Sequence, residues 1–145
     1  LSDSLDALSV RRNDLFLTKE KCDRNIDELD RSVFDLKNQI EQKCLYYTDK
    51  IIYKEILGMK AGIVFITYEY RNELAEYFRQ NKFDMDFTMM IALDPGVVAY
   101  RSVKDGVAVR PVAELFGGKG HDKAATNPIT EEMQQKLLKI LTEKE

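Results

Sequence analysis

The chain has 145 residues, of which 44% are hydrophobic and 32% charged, and its formal net charge at pH 7 is −3. This composition is normal for a folded domain and argues against wholesale disorder. The acidic balance argues against a protein that coats nucleic acid through a general basic surface, although it permits a small local phosphate site.

The cysteine content and hydropathy predict a protein of the reducing cytoplasm. Cys22 and Cys44 are the only cysteines, and neither has another Cys or a His at metal-ligand spacing. A disulfide framework or a zinc site is therefore not expected. We see no signal-peptide pattern and no apolar run near the roughly 20 residues that span a bilayer, so we expect no membrane partner. The start at Leu1, within LSDSLDALS, suggests a piece of a longer protein.

The first part of the chain predicts a long amphipathic helix or a helical hairpin. Residues 4–57 contain neither Gly nor Pro, and Gly58 suits the C-terminal stop of a helix. An earlier, less regular stripe is compatible with a separate helix; its members are Leu5, Leu8, Leu15 and Phe16. The main stripe recurs at steps of three and four, and its members are Ile26, Leu29, Val33, Leu36, Ile40, Cys44, Tyr47 and Ile51.

Two interpretations of this main stripe stay open. It packs on its own domain, or it pairs with another copy of the chain or with a neighbouring domain. The main stripe covers only about four heptads, which is short for an autonomous coiled coil. We expect residues 1–57 to form a helical connector or hairpin ahead of a domain that occupies residues 58–145.

After Gly58 the pattern changes to alternating strands and helices. The runs AGIVFIT, FTMMIALD and GVVAYRS predict three strands, the last two joined by a tight turn at Asp94-Pro95-Gly96. NELAEYFRQ, RPVAELF and TEEMQQKLLKILTEK predict three helices, with Pro111 in the first turn of the second and Thr130 as N-cap of the third. We therefore expect an α/β or α+β fold, with a central mixed sheet flanked by helices and preceded by the long helical segment.

The segment FGGKGHDKAATNPIT, residues 116–130, holds three of the seven glycines and the only histidine. Gly117 or Gly118 suits the left-handed residue that ends a helix, but this role does not account for Gly120. A loop with so few side chains lets an anion approach backbone N–H groups, and a following turn of helix would add partial positive charge. The spacing is neither GxxxxGK[ST] nor a GxGxxG after a strand, so the segment predicts a phosphate or nucleotide-end site rather than triphosphate hydrolysis.

Side chains near this loop can supply further contacts. His121 can donate a hydrogen bond to a phosphate oxygen, while Lys119 and Lys123 raise the local potential. Arg101 and Ser102 end the strand upstream of the loop, where a guanidinium could grip phosphate bidentately and a hydroxyl could donate. The alternative for Arg101 is an ion pair with a surface carboxylate.

Two further groups have mainly structural interpretations. Tyr68 and Tyr70 could stack a base, but core packing or a role at a helix entry is the stronger alternative. Asp84, Asp86 and Asp94 lie at strand or turn positions without histidines near them, so we do not expect a metal site there.

The loop and its upstream strand resemble a known domain type. FGGKGHDKAAT, preceded by VAYRSVKDGVAVRPVAEL, is similar to the C-terminal signature of the first type of DHH-associated domain, which binds substrate in DHH-family phosphoesterases. The family pattern is GGGGHxxAAG, from which Lys119 and Thr126 depart, and Arg101-Ser102 stands at the family's phosphate-contacting pair. The matching positions are Gly117, Gly118, Gly120, His121, Ala124 and Ala125.

The resemblance implies a divided enzyme. In this family an N-terminal catalytic domain of the same parent chain binds two divalent metals, usually manganese, which activate water against a phosphodiester. The associated domain holds the phosphates of a short oligonucleotide or nucleotide. The substrate-binding set implied here is Arg101, Ser102, Gly117, Gly118, Gly120, His121 and Lys123.

No catalytic residue, metal ligand or cofactor is expected within this chain. One histidine cannot supply the imidazole ligands, and the Asp-His-His motif is absent. We expect the 145 residues alone not to hydrolyse phosphodiesters, whereas the parent is an oligoribonuclease or a nucleotide phosphodiesterase.

Two alternatives remain. The chain could be a non-catalytic interaction module that forms a homodimer through the N-terminal helix, with the glycine loop only a tight junction. A domain of the same type also closes alanyl-tRNA synthetases, where it contacts tRNA, but the acidic balance and the short connector rank this alternative last.

Overall fold

The computed structural model describes residues 2–143, and the side chains of residues 18–143. The chain divides into two compact units, Leu1–Glu41 and Gln42–Glu145. The prediction that a substrate-binding domain occupies residues 58–145 stays a prediction, although the second compact unit begins earlier than that boundary.

The N-terminal segment is one helix, α1, which spans Ser2–Thr48. The long amphipathic helix is therefore confirmed, but it ends at Thr48 rather than near Leu57. Its apolar stripe changes character along its length, because Ile26 to Leu36 are exposed whereas Cys44 and Tyr47 are buried. The side chains of the earlier stripe, Leu5, Leu8, Leu15 and Phe16, lie outside the described residues.

The second unit is built on a mixed sheet, which confirms the predicted fold class, and the sheet has six strands where the sequence predicted three. The spatial order is β1-β2-β3-β4-β6-β5, with β2 and β3 parallel and every other neighbouring pair antiparallel. The strands are β1 (Ile52–Ile56), β2 (Met59–Phe65), β3 (Phe87–Ala92), β4 (Val97–Ser102), β5 (Lys119–Gly120) and β6 (Ala124–Pro128).

Three helices accompany the sheet at the predicted places. They are α2 (Arg71–Gln80), which follows a 3₁₀ turn at Tyr68–Tyr70, then α3 (Arg110–Leu115) and α4 (Glu131–Thr142). Pro111 lies in the first turn of α3. The Oγ1 of Thr130 accepts a hydrogen bond of 3.1 Å from the backbone N–H of Met133, which confirms the predicted N-cap.

The core lies on both faces of the sheet, because side chains alternate along each strand. One face packs Phe87, Tyr100 and Ala125 against Val112 of α3 and Met133 of α4. The opposite face is covered by α2, which buries Leu74, Ala75 and Phe78. Within the described residues, no helix combines the length and apolar character needed to cross a membrane.

Strand β1 corrects the prediction for residues 49–57. Ile56 pairs with Met59, so Leu57 and Gly58 form a two-residue hairpin turn instead of a helix stop. Both have positive φ angles, 52° and 77°, which suit the twist of such a hairpin. The helical stripe continued through Ile51 in sequence, and only pairing with β2 makes the following residues a strand.

Candidate functional site

The glycine-rich segment folds as a β-hairpin, which we call the glycine hairpin and define as residues 117–128. Lys119 pairs with Thr126 and Gly120 with Ala125, and the hairpin joins the edge of β4 through β6. The expected helical turn after the loop is therefore wrong. Residues 124–128 are held extended by backbone pairing with β4, so no helix N-terminus adds its partial charge there.

The fold gives each glycine of this hairpin a structural reason. Gly117 follows α3 with φ of 86°, as the left-handed residue after a helix usually does. A Cβ on Gly118 would overlap the carbonyl oxygen of Thr126, and one on Gly120 would overlap the backbone of Ala125. Close packing of β5 on β6 thus accounts for the two glycines that a simple helix end does not explain.

The tip of the hairpin presents polar side chains to solvent. His121, Asp122 and Lys123 are all exposed. The backbone N–H of His121 donates to the carbonyl of Ala124 at 2.8 Å, and the carbonyl of Asp122 accepts from the N–H of Val109 at 2.7 Å. The backbone of the tip is therefore fixed on both sides, while the His121 imidazole has no hydrogen-bond partner among the described residues.

The end of β4 lies beside this tip, as the sequence predicted. Arg101 pairs with Ala124, and the N–H of Ser102 donates to the carbonyl of Lys123 at 3.1 Å. The two side chains nevertheless point to opposite faces of the sheet, because neighbours in a strand alternate. Ser102 is buried on the face of Tyr100, so its hydroxyl lies away from the Arg101 guanidinium.

The guanidinium of Arg101 is half-buried on the α2 face of the sheet. Its Nη1 donates to the carbonyl of Tyr100 at 2.9 Å and its Nη2 to Oδ1 of Asn72 at 3.2 Å. Burial lowers the pKa of Arg101 from its ordinary value, and the positive charge of Arg71 lowers it further. Arginine stays protonated in spite of such shifts, so this side chain carries a charge that has lost part of its hydration.

Arg71 completes what we call the arginine pair, Arg71 and Arg101. Its Nη1 donates to the carbonyl of Tyr68 at 3.1 Å, and its guanidinium carbon lies 4.0 Å from the centroid of the Tyr68 ring. Within residues 18–143, neither arginine forms an ion pair with a carboxylate. The alternative of a surface ion pair for Arg101 is thus not what the structure shows, and two neighbouring positive charges are left without a counter-charge.

Sequence reasoning missed Arg71 and Asn72. One signal was present in the sequence, because Arg71 directly precedes the predicted helix NELAEYFRQ, and the positive end of the helix dipole disfavours a cation there. A positive charge at Arg71 is therefore unfavourable for the helix and indicates a possible functional role. Asn72 carried no comparable signal, since only its contact with Arg101 distinguishes it.

An aromatic cleft of about 740 Å³ adjoins the arginine pair through Tyr68. It lies at the carboxyl ends of the parallel strands β2 and β3, which is where open α/β sheets commonly bind ligands. Tyr47 is fixed at its wall by the N–H of Thr67, which donates to the tyrosine oxygen at 3.0 Å. The residues that line the aromatic cleft include Lys43, Tyr46, Tyr47, Phe65, Thr67 and Tyr68.

Asp84, one of the acidic residues considered for a metal site, is engaged by lysines. Asp84 is bound by Lys60 at 3.0 Å and by Lys104 at 3.1 Å, so its carboxylate is already neutralised. In the part of the chain that the structure describes, no three His, Cys, Asp or Glu side chains are grouped so that they could hold a metal ion.

No family model and no curated protein matches the chain. Among solved structures, it is similar to an exopolyphosphatase-related protein from Bacteroides fragilis, with 18% identity over 70% of this chain and 34% of that chain, at a TM-score of 0.42. It is also similar to the DHH domain of a protein from a family of ribosomal proteins, with 13% identity over 73% of this chain and 32% of that chain, at a TM-score of 0.46.

A third similar structure is a pGpG-specific phosphodiesterase from Vibrio cholerae, with 14% identity over 72% of this chain and 36% of that chain, at a TM-score of 0.45. The chain spans about a third of the length of each of these proteins.

Proposed function

We propose that the second unit is the substrate-binding domain of a DHH-type phosphoesterase and holds the phosphate of a nucleotide or short oligonucleotide. The observation that carries this proposal is the arginine pair, two neighbouring guanidiniums with no carboxylate partner among the described residues. A bound phosphate would supply the missing counter-charge and accept the remaining N–H groups.

The surroundings of the arginine pair support a nucleotide rather than a free anion. The exposed His121 and Lys123 at the tip of the glycine hairpin lie next to the end of β4 and could contact further phosphate oxygens. Tyr68 links the pair to the aromatic cleft, where a base could stack. Gly117, Gly118 and Gly120 keep their place in the proposed site through backbone groups, and Ser102 remains its least supported member because its side chain is on the other face.

The two divalent metals that the resemblance implies do not fit the residues described in this chain. We assign them, usually manganese in this family, to a separate DHH catalytic domain of the same parent protein, which would activate the attacking water. The role left to this chain is to bind and orient the phosphate. The parent would be an oligoribonuclease, an exonuclease of short oligonucleotides, or a nucleotide phosphodiesterase, and the 145 residues alone would be inactive.

The proposed location is the cytoplasm. The chain has only two cysteines, Cys22 and Cys44, too few for a disulfide framework, and this composition supports a reducing compartment.

An NMR titration of the 145-residue chain with adenosine 5′-monophosphate tests the site. We expect the Nε–H signals of Arg71 and Arg101 and the amides of residues 117–124 to shift together at submillimolar to millimolar ligand. Adenosine, which has no phosphate, is the matched control and should leave the arginine signals unchanged. If the shifts cluster instead around Lys60 and Lys104, or if adenosine reproduces them, the phosphate site is elsewhere.

A second candidate is a non-catalytic interaction module that works through α1. It is favoured by one observation, the exposure of the apolar stripe between Ile26 and Leu36. The two candidates are compatible, because one concerns the helix and the other concerns the sheet.

A further inference from the structure

The apolar stripe of α1 is uncovered over several turns. Ile26, Leu29, Val33 and Leu36 are 55%, 63%, 44% and 56% exposed, respectively. Further along the helix, Cys44 and Tyr47 are 3% and 5% exposed, because they belong to the core of the second unit. The same stripe is thus core at its C-terminal end and open surface before it, and contiguous exposed apolar surface of this kind marks an interaction site.

The open part of the stripe follows a heptad repeat. We define the seam as the residues at its a and d positions. The a positions are Ile26, Val33 and Ile40, and the d positions are Cys22, Leu29 and Leu36. In the sequence this register continues upstream with Leu15 and Leu8 at d and Leu5 at a, interrupted by Lys19 and Arg12 at a.

We infer that the seam pairs with the seam of a second copy of this chain, as a parallel, in-register, two-stranded coiled coil. The residue types point to this occupant. Among parallel coiled coils, β-branched residues at a combined with Leu at d favour two strands over three or four. The inference concerns α1 alone, so it stands independently of the phosphate site.

The charges beside the seam permit this arrangement. The g positions are neutral, namely Asn25, Ser32 and Gln39, so no like charges face each other between g and e of a parallel pair. An antiparallel pair matched over the same residues would set Asp23 against Lys37 but also Asp30 against itself. Charge therefore does not decide the orientation, and we infer the parallel one because the a and d residues match those of parallel two-stranded coiled coils.

Cys22 reports the orientation directly. It lies at a d position and is exposed in the single chain. In a parallel in-register pair the two Cys22 thiols face each other across the seam, within reach of a disulfide. An antiparallel pair matched over residues 22–40 would separate them by about 27 Å, at 1.5 Å of rise per residue. Oxidative cross-linking therefore distinguishes the two orientations.

The experiment uses the whole 145-residue chain. Sedimentation velocity over a hundredfold range of concentration should show a monomer–dimer equilibrium, and mild oxidation should give a Cys22-linked dimer on non-reducing gels. Cys22→Ser should abolish this link, whereas Cys44→Ser should retain it. Val33→Asp should abolish both the dimer and the efficient cross-link, since it places a charge in the centre of the seam.

Phe34→Asp is the matched control. Phe34 is the next residue along the helix and is 64% exposed, but it lies at position b, outside the seam. This variant should dimerise and cross-link like the parent chain, and circular dichroism should show that both Asp variants keep the helix. A chain that stays monomeric, a dimer without the Cys22 link, a trimer, or equal effects of Val33→Asp and Phe34→Asp would each overturn the inference.

Discussion

The glycine hairpin and the arginine pair lie next to each other, because Ala124 of the hairpin pairs with Arg101 of β4. In the hairpin, Gly118 and Gly120 are required by the close approach of β5 to β6, and Gly117 by its positive φ angle. In the arginine pair, the fold supplies hydrogen-bond acceptors, but no carboxylate among residues 18–143 forms an ion pair with either guanidinium.

This difference indicates that the arginine pair, and not the glycine hairpin, requires a ligand to explain it. The unusual composition of the hairpin is explained by packing inside the domain. Two adjacent uncompensated guanidiniums are not explained by packing, since each would be more stable beside a carboxylate. A third region makes the contrast clear, because Lys60 and Lys104 are paired with the carboxylates of Asp84 and Asp86 within the fold.

The largest expected effect is on stability and tests whether packing requires the glycines of the glycine hairpin. Gly118→Ala places a methyl group against the backbone of Thr126, so we expect a loss of about 3 kcal/mol in the free energy of unfolding. Gly117→Ala has open space and only an unfavourable φ angle, so it should cost about 1 kcal/mol. Thermal unfolding followed by circular dichroism measures both. Equal effects, or no effect at Gly118, would show that packing does not account for the glycines.

The next largest expected effect is on nucleotide affinity and tests the arginine pair. Arg101→Ala should weaken binding of adenosine 5′-monophosphate at least about tenfold, because charge-assisted hydrogen bonds contribute about 1.5–3 kcal/mol each. Isothermal titration calorimetry at low salt measures this change. Arg79→Ala, on the same helix as Arg71 but exposed, and Lys104→Ala are the controls and should bind like the parent chain. A larger loss in either control than in Arg101→Ala would place the site elsewhere.

The smallest expected effect is on thermal stability and tests the ion pairs of Asp84 with Lys60 and Lys104. Hydrogen bonds from Lys60 and then Lys104 lower the pKa of Asp84 below its ordinary value of 3.8. Its stabilisation is therefore present above about pH 4 and lost as the pH falls through the lowered pKa of the folded state. Asp84→Asn should lower the midpoint of thermal unfolding slightly at pH 7, because exposed ion pairs contribute little.

The difference between Asp84→Asn and the parent chain should shrink to zero below the pKa of folded Asp84. Nucleotide binding at pH 7 should be the same in both proteins. A pH-independent difference in midpoint would instead assign the effect of Asp84 to something other than its charge.

Much of the fold was predictable, because its signals are local. Strands β2, β3 and β4 have dense runs of β-branched and apolar residues, and α4 has both its apolar stripe and the Thr130 cap. β1 was missed because Tyr47 and Ile51 continue a helical spacing with no Gly or Pro before Gly58. β6 was missed because Ala, Asn and Pro are poor strand formers, and pairing with β4 outweighs this preference.

The candidate site was also predicted only in part. Arg101, His121 and the glycines were found from their order in the chain, and the structure does bring the end of β4 to the hairpin tip. Ser102 was placed with Arg101 on sequence adjacency, but alternation along the strand separates the two side chains. Arg71 was missed, since nothing in local spacing links it to Arg101.

By itself, the sequence determined the helices, the three central strands, the turn at Asp94-Pro95-Gly96 and the heptad pattern of α1, all of which depend on residues within a few positions of one another. Only the tertiary structure decided that residues 52–56 and 124–128 are strands, that the apolar stripe of α1 is buried at Cys44 and Tyr47 but exposed before them, and that Arg71 lies near enough to Arg101 to lower its pKa. These outcomes depend on backbone pairing and side-chain approach between distant segments, which the spacing of residues along one segment does not encode.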